Sequence, residues 1–492
     1  VKRAATRDRL WGSFRAYWVG SMQAKKNHMP LSEPGDYSAA AGETSPDALL
    51  IRDSVVATLI RLAAPMLVGV FSMTAFNLTD AYFVSLLGTK ALAAMGFTFP
   101  VVLVLNAVSH GIALGAAAII SQVVGAGDKG RMRRLATDAS ILALLIAIPL
   151  TLLGLLTVRP LFAALGAGPD LLPVIRRYMV VWYIGLVFVM VPAVGMNALR
   201  ALGDAVTPAV IMLVAFGMNV ILDPLLIFGL GVVPGMGIAG AAWATVISRG
   251  LTALAVLWVM GSGKGMFLLS MPDRIAMLQS WRDILHVGAP AAGTLLLAPL
   301  SQTLFIRIVA VMGPEAVAAV GAGMRLEGFA FIVVMALSSA LLPFVGQNWG
   351  AGRPERVDTG VRRSVQFALA WGVLCLLLLV LFAGHLARLF SRDPAVIAHL
   401  RLFLWIVPLG YGLQGVVLLA GSTFNAVRRP GRAVALSVVH LFGLLLPLAY
   451  IGLIVFGFIG VLAGAALANA SAGTLALVWL HGVSGKQKPK QG

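Results

Sequence analysis

The chain has 492 residues, 59% of them hydrophobic and only 11% charged, a balance that excludes an ordinary soluble domain. Its formal net charge of +18 does not indicate nucleic acid, because the basic residues sit in short loops between long apolar runs, the positive-inside pattern of a polytopic membrane protein. The single cysteine, Cys375, lies within an apolar run, so an intramolecular disulfide is excluded and redox compartment is not informative.

Residues 1–50 are polar and basic, with Pro, Gly, Ser and Ala between Pro34 and Pro46, and read as a poorly ordered tail. Within them Trp11, Phe14, Tyr17 and Trp18 recur at near-helical spacing; this stretch either lies on a membrane surface or belongs to the tail. About twelve hydrophobic segments follow, each near the roughly 20 residues that cross a bilayer. They run near 55–87, 92–122, 135–157, 172–199, 207–229 and 238–260, then 284–312, 316–347, 361–384, 397–424, 433–456 and 460–481. The expected organisation is an N-lobe over 51–260, a cytoplasmic linker over 261–283, a C-lobe over 284–481 and a basic tail over 482–492.

The two halves repeat. An offset of 225 positions carries Pro65 onto Pro290, Gly88 and Gly96 onto Gly313 and Gly321, and Gln122-Val-Val-Gly-Ala-Gly127 onto Gln347-Asn-Trp-Gly-Ala-Gly352. An ungapped match of this length marks internal duplication. Later parts repeat more weakly: Asn197-Ala-Leu-Arg200 falls on Asn425-Ala-Val-Arg428, and Gly237-Ile-Ala-Gly resembles the stretch from Gly460 with one inserted residue. Six segments per half return the chain to its starting side, so the lobes should be related by a pseudo-two-fold along the membrane normal. The loops carrying Lys129, Arg131, Arg133 and Arg134, then Arg353, Arg356, Arg362 and Arg363, then Arg428, Arg429 and Arg432 share one side. The charge rule makes that side cytoplasmic, with both termini. Arg159, Arg176, Arg177, Arg388, Arg392 and Arg401 fall on the other side.

Polar residues at membrane depth are functional candidates. At 1.5 Å per residue, Asp80 stands about 30 Å up the first segment, Asp223 about 24 Å up the fifth, and Thr245 about 12 Å below the outer end of the sixth. Asn219 lies one i, i+4 step from Asp223. Two carboxylates buried together cannot both ionise cheaply, so this set reads as a proton or cation site; the alternative is two aspartates facing headgroups at helix ends. Asp80 becomes Phe305 in the second half, so the lobes share a scaffold but not a chemistry. Pro65, inside the first segment, is either a fixed kink or a working hinge. Tyr178 and Tyr183 either line a cavity or belong to an interfacial belt. In the second half, Glu327 forms with Arg307 or Arg325 either a buried pair or an outer-surface salt bridge, with Gln302 nearby on the seventh segment. His110 and His440 read as packed, neutral histidines. No Walker loop, HExxH or credible triad occurs, so the chain is not read as an enzyme.

The set Pro65…Asp80, Gly88…Gly96, Gln122…Gly125-Ala-Gly127, Arg200-Ala-Leu-Gly-Asp204…Pro208 and Asn219-Val-Ile-Leu-Asp223-Pro224 resembles the multidrug and toxin extrusion (MATE) transporters. The resemblance covers about residues 50 to 481. Acids in the first lobe, with Gln414 where an acid would otherwise stand in the tenth segment, look like the DinF-like branch. It implies a V-shaped pair of six-helix lobes in a bacterial inner membrane, working as a monomer and exporting lipophilic, often cationic small molecules. No cofactor is implied beyond H⁺ or Na⁺ as coupling ion. The resemblance also passes the coupling role to Pro65, Asp80, Asn219, Asp223 and Thr245, with Na⁺ as an alternative occupant of Asp80, Asn219 and Asp223, and implicates a tyrosine at 178 or 183. Two other readings remain: a flippase for a lipid-linked saccharide, which needs several cavity-facing arginines such as Arg307 and Arg325, and a non-transporting receptor or assembly factor, which needs no buried acids.

Overall fold

The computed structural model describes residues 49–229, 234–267 and 273–484; the proposed surface segment at 10–19 and the basic tail from 485 lie outside them. The described residues are helical throughout. In the N-lobe the helices are α1 (Val55–Ser85), α2 (Thr89–Gly125), α3 (Lys129–Ala164), α4 (Leu172–Ile184), α5 (Leu186–Ala201), α6 (Val206–Phe228) and α7 (Ile238–Trp258). In the C-lobe they are α8 (Arg274–Ala310), α9 (Pro314–Gly350), α10 (Pro354–Phe390), α11 (Pro394–Ile406), α12 (Tyr411–Ala426), α13 (Pro430–Val438) and α14 (Leu446–Ser484). Ten runs are long and apolar enough to cross a membrane, and the α4–α5 pair, bent by 43°, makes an eleventh. The last run, from Pro430, breaks within α14 at Gly457 (φ 59°, ψ −137°), which divides it into two crossings. Twelve crossings in two six-span lobes result, as the sequence predicts.

The repeat has a local cause at its glycines. Gly88 and Gly313 precede α2 and α9 with φ of 96° and 104°, and Gly127 and Gly352 follow the same helices with φ of 82° and 66°. A side chain is strained at those angles, so both copies keep glycine. Backbone angles also correct one alignment. Gly237, before α7, has φ 58° and ψ −135°, nearly those of Gly457. Gly237-Ile-Ala-Gly240 therefore matches Gly457-Phe-Ile-Gly460, with no inserted residue.

The lobes meet through reciprocal contacts at the end that carries the basic loops. Gln122 donates through Nε2 to the carbonyl of Ala426, and Gln347 donates to the carbonyl of Ala201 at 2.7 Å. Each pair is the other shifted by 225 positions with donor and acceptor lobes exchanged, the signature of a two-fold axis. At the same crossing the backbone of Gly125 lies against Gln347 and that of Gly350 against Gln122, so close that a Cβ on either glycine would overlap the partner's carbonyl. Higher in the seam, Gly111 and Gly115 of α2 press on Gly288 of α8.

Two further ties correct the expected boundaries. Leu50, the last residue of the expected tail, and Ile51, the first of the expected N-lobe, are fully buried. Their carbonyls accept from the C-lobe: Ile51 from Arg353 Nη1 at 2.8 Å, and Leu50 from Asn348 Nδ2 at 3.3 Å and Arg356 Nη2 at 3.2 Å. Helix α8 begins at Arg274, capped by Asp273, inside the stretch expected as linker. Its first turns work in the seam: Trp281 Nε1 donates to the carbonyl of Asp138 at 2.9 Å, and Asp283 receives both Arg428 and Arg131. The charged residues Arg274, Arg282 and Asp283 in these turns kept them from reading as part of an apolar span.

The crossing gives a direct test. Replacing Gly125 and Gly350 by alanine overpacks the seam at a cost of about 1–3 kcal/mol, enough to shift an open–closed equilibrium roughly tenfold. In a Cys375→Ala background, a cysteine at Gly421, where a Cβ has free space beside the inter-lobe cavity, should become about tenfold more reactive to an impermeant thiol reagent applied from the basic-loop side. Unchanged labelling in a folded variant would refute the latch.

Candidate functional site

The inward face of α1 is a stripe of Met66, Gly69, Ser72, Phe76, Asp80 and Val84, residues three or four apart on one side of a helix. Asp80 is thereby turned into the N-lobe rather than toward headgroups, and is 7% exposed. On α6, Asn219 and Asp223 are fully buried, and Asn219 Nδ2 donates to Asp223 Oδ1 at 3.2 Å. Helices α1 and α6 pack on each other, with Gly69 against Met212 and Ala209, so the two acids stand on neighbouring helices of the lobe. Helix α6 continues past Pro224 to Phe228, so that proline does not end it. Asp80 Oδ1, Asn219 Oδ1 and Asp223 Oδ2 are buried without a hydrogen-bond partner in the protein.

Tyr178 of α4 is 5% exposed and lies within electrostatic reach of both Asp80 and Asp223. Tyr183 does not join it: its ring packs on Gly154 of α3, and its carbonyl accepts from Thr151 at 2.9 Å. Thr245 is half-buried on α7 and bonds to neither Asn219 nor Asp223. Pro65 sits inside α1, which continues as one helix through it.

The C-lobe is built differently. Phe305, the counterpart of Asp80, is buried in an apolar cluster. Glu327 of α9 has no arginine partner among the described residues; it accepts from Gln414 Nε2 of α12 at 2.8 Å. Gln414 Oε1 accepts from Asn469 of α14 at 3.0 Å, and Asn469 Oδ1 lies 2.8 Å from His440 Nε2. His440 opens a π-helical stretch, Val439–Leu445, and is tied into this chain rather than simply packed. Arg307 and Arg325 are exposed, so the expected buried pair does not form; Gln302, also exposed, reaches Met324 Sδ at 3.2 Å. Neither arginine lines the inter-lobe cavity, where Arg200 stands instead.

That cavity has a volume of about 460 Å³ and is walled by Leu114, Leu295, Phe331, Leu342 and Leu418, with Arg200 and Gln414 among its polar groups. Sequence reasoning missed the roles of Arg200, Arg249, Asn469 and Asp138. Arg200 was treated as a motif letter, yet Gly203 (φ 91°) and Asp204 do the local structural work there. Asp204 accepts from Thr207 N at 3.0 Å and is paired to Lys264 at 3.2 Å. Arg249 was legible as a lone charge one turn from Thr245, and Asn469 as a lone amide in an apolar run. Asp138 is fully buried with Ser280 of α8 beside its carboxylate, a contact across the repeat that no local pattern announces.

Comparison with known proteins agrees with this geometry. The MatE family model matches residues 65–225 and again 290–451, with starts in the same 225-residue register as the repeat. The chain is 37% identical to the "FAD transporter" of Shewanella oneidensis over 84% of this chain and 91% of that one. It is 24% identical to the multidrug export protein MepA of Staphylococcus aureus over 84% and 90% of the two chains. Among solved structures, the Vibrio cholerae MATE transporter VcmN, as an aspartate-to-asparagine mutant, is 30% identical with a TM-score of 0.83, covering 87% of this chain and 96% of that one. A duplicated twelve-span fold that the family model matches once in each lobe makes this chain a member of the MatE family, the multidrug and toxin extrusion transporters, and not an enzyme.

Proposed function

We propose that the chain is a proton-coupled antiporter whose coupling site is Asp80, Asn219 and Asp223, with Tyr178 beside them. One observation carries the reading: two buried carboxylates on helices packed against each other, with one oxygen of each and that of Asn219 unpartnered in the protein, in one lobe only. Such a pair cannot hold two negative charges cheaply and takes up a cation. The proton is the simplest occupant; Na⁺ would use the same oxygens and is separated by the test below. Thr245, half-buried one helix away, is placed at the edge of the site, and Pro65 is its hinge.

The basic-loop end is taken as cytoplasmic in the bacterial inner membrane, so the latch closes the molecule toward the cell interior. With the acids ionised, water and charge repulsion hold α1 and α6 apart. Protonation removes both, and α1 can bend at Pro65 and close the lobe on its cargo space; the driver is the different stability of the two shapes in the two charge states. The cargo is a lipophilic organic compound suited to the largely apolar inter-lobe cavity. A second reading of the cargo, a flavin nucleotide, is favoured by the 37% identity to a protein named FAD transporter.

Asp80→Asn and Asp223→Asn should each reduce coupled efflux to about a hundredth of wild type or less while the protein remains in the membrane, and Asn219→Ala should weaken it. Undiminished export by Asp80→Asn, measured in everted vesicles, would remove the coupling role.

The driving force distinguishes ion and cargo together. A potential of 100 mV contributes about 2.3 kcal/mol per charge moved, equivalent to roughly fortyfold accumulation. For a monovalent cationic dye exchanged against one proton the voltage term cancels, so efflux should collapse with nigericin and survive valinomycin with K⁺. For an anionic cargo the voltage term adds, and valinomycin should suppress export. Efflux driven by a Na⁺ gradient at zero pH gradient would replace the proton by sodium.

A further inference from the structure

The N-lobe interior holds a second charged group that the coupling site does not use. Arg249 lies on α7, its guanidinium carbon 5.1 Å from the centroid of the Phe76 ring. Phe76 is one turn from Asp80 on α1, which places this guanidinium about 6 Å nearer the basic-loop end than the acids. Arg249 lines a small cleft among α1, α6 and α7 with Ser72, Met73, Met212 and Thr252. Met212 Sδ accepts from Arg200 Nη2 at 3.4 Å, so one methionine stands between the two arginines. His110 of α2 feels the charge of both. Arg200 Nε is buried without a partner, and Arg200 also faces the inter-lobe cavity.

Neither arginine is paired with a carboxylate among the described residues; the pairs of Arg61, Arg131, Lys264 and Arg428 lie elsewhere. Cations inside a helical bundle are expensive, and are kept where they meet a partner or a substrate. Two guanidiniums on either side of a methionine, one stacked on an aromatic face, suit a planar-faced anion with several acceptor oxygens.

We propose that Arg200, on the wall of the inter-lobe cavity, with Arg249 beyond Met212 in its own small cleft, forms an anion-binding site for the phosphate of an aromatic phosphate ester of flavin-nucleotide size, with the apolar cavity wall receiving its ring system. The cavity that Arg200 faces has a volume of about 460 Å³, in the range of small-molecule sites. This deepens the flavin-nucleotide reading of the cargo and rests on it for the ring, but does not depend on proton coupling. It also fixes how coupling would run. Ionised acids one turn away repel an anion, so protons and cargo do not exchange by competing for charge. They communicate through α1, which carries Pro65, Phe76 and Asp80 in that order: a bend at Pro65 that follows protonation carries Phe76 off Arg249 and dismantles the anion site.

The test is equilibrium binding to the purified full-length protein without any gradient, read by quenching of flavin fluorescence. The probes are flavin mononucleotide and riboflavin, which share a ring and differ by one phosphate. Flavin mononucleotide should bind at least tenfold more tightly. Arg200→Gln and Arg249→Gln should each bring it down to the affinity of riboflavin and leave riboflavin unchanged, while Arg249→Lys should keep part of the preference. Equal binding of the two probes, no binding of either at millimolar concentration, a preference that survives both glutamine variants, or equal loss of both probes in those variants would overturn the proposal. The binding is read without any gradient, so a failure of proton coupling in vesicles would leave this result standing and be distinguishable from it.

Discussion

The crossing of α2 and α9 at the basic-loop end is the constraint on which the rest of the structure hangs. Two helices can approach closely enough to share backbone contacts only where neither carries a side chain at the crossing, and Gly125 and Gly350 meet that condition. Once the backbones touch, Gln122 and Gln347 lie within reach of carbonyls at the ends of α12 and α5. An amide buried in so apolar a seam has no water to fall back on, so these bonds fix the register of one lobe on the other. The cavity beyond the crossing is bounded by this contact on one side, and its shape follows from where the helices diverge.

The duplication then allows asymmetry. At equivalent positions one lobe buries Asp80 and the other Phe305. The acid in the N-lobe has an unpartnered oxygen, whereas Glu327 in the C-lobe is held in a chain of side-chain hydrogen bonds that runs to His440. A carboxylate already satisfied by neighbours is a fixed structural part, and one left unsatisfied responds to a cation. The scaffold supplies two frames, and under the proposed function the N-lobe frame carries the coupling acids.

What the sequence made legible follows the same physics. Twelve apolar segments, the two-lobe duplication and the convergence of Asp80 with Asn219 and Asp223 were readable because hydrophobic length and helical rise are local properties that sum reliably along a chain. The start of α8 and the burial of Leu50 and Ile51 were not, because charge-bearing helix turns and short straps gain their stability from distant contacts. The choice between Tyr178 and Tyr183 also needed the structure: both stand on α4, about 140° apart around the helix, and only the packed neighbours show which face meets the acids. Glu327 was read with Arg307 or Arg325 as its partner, whereas its donor is Gln414, 87 residues away.

The buried strap at Leu50 and Ile51 has a consequence for how the two halves cohere. It belongs by sequence to the N-lobe, but its carbonyls are held by Asn348, Arg353 and Arg356 of the C-lobe. The seam is thus stitched by a chain segment as well as by helix faces, and the stitch does not pass through the connection between the lobes. A nick in that connection would leave two polypeptides still threaded into each other, as two separately encoded proteins of this architecture would be if each began with such a strap. The lobes of this chain are therefore held to each other by non-covalent ties at its first helix turn as well as by the segment that joins them.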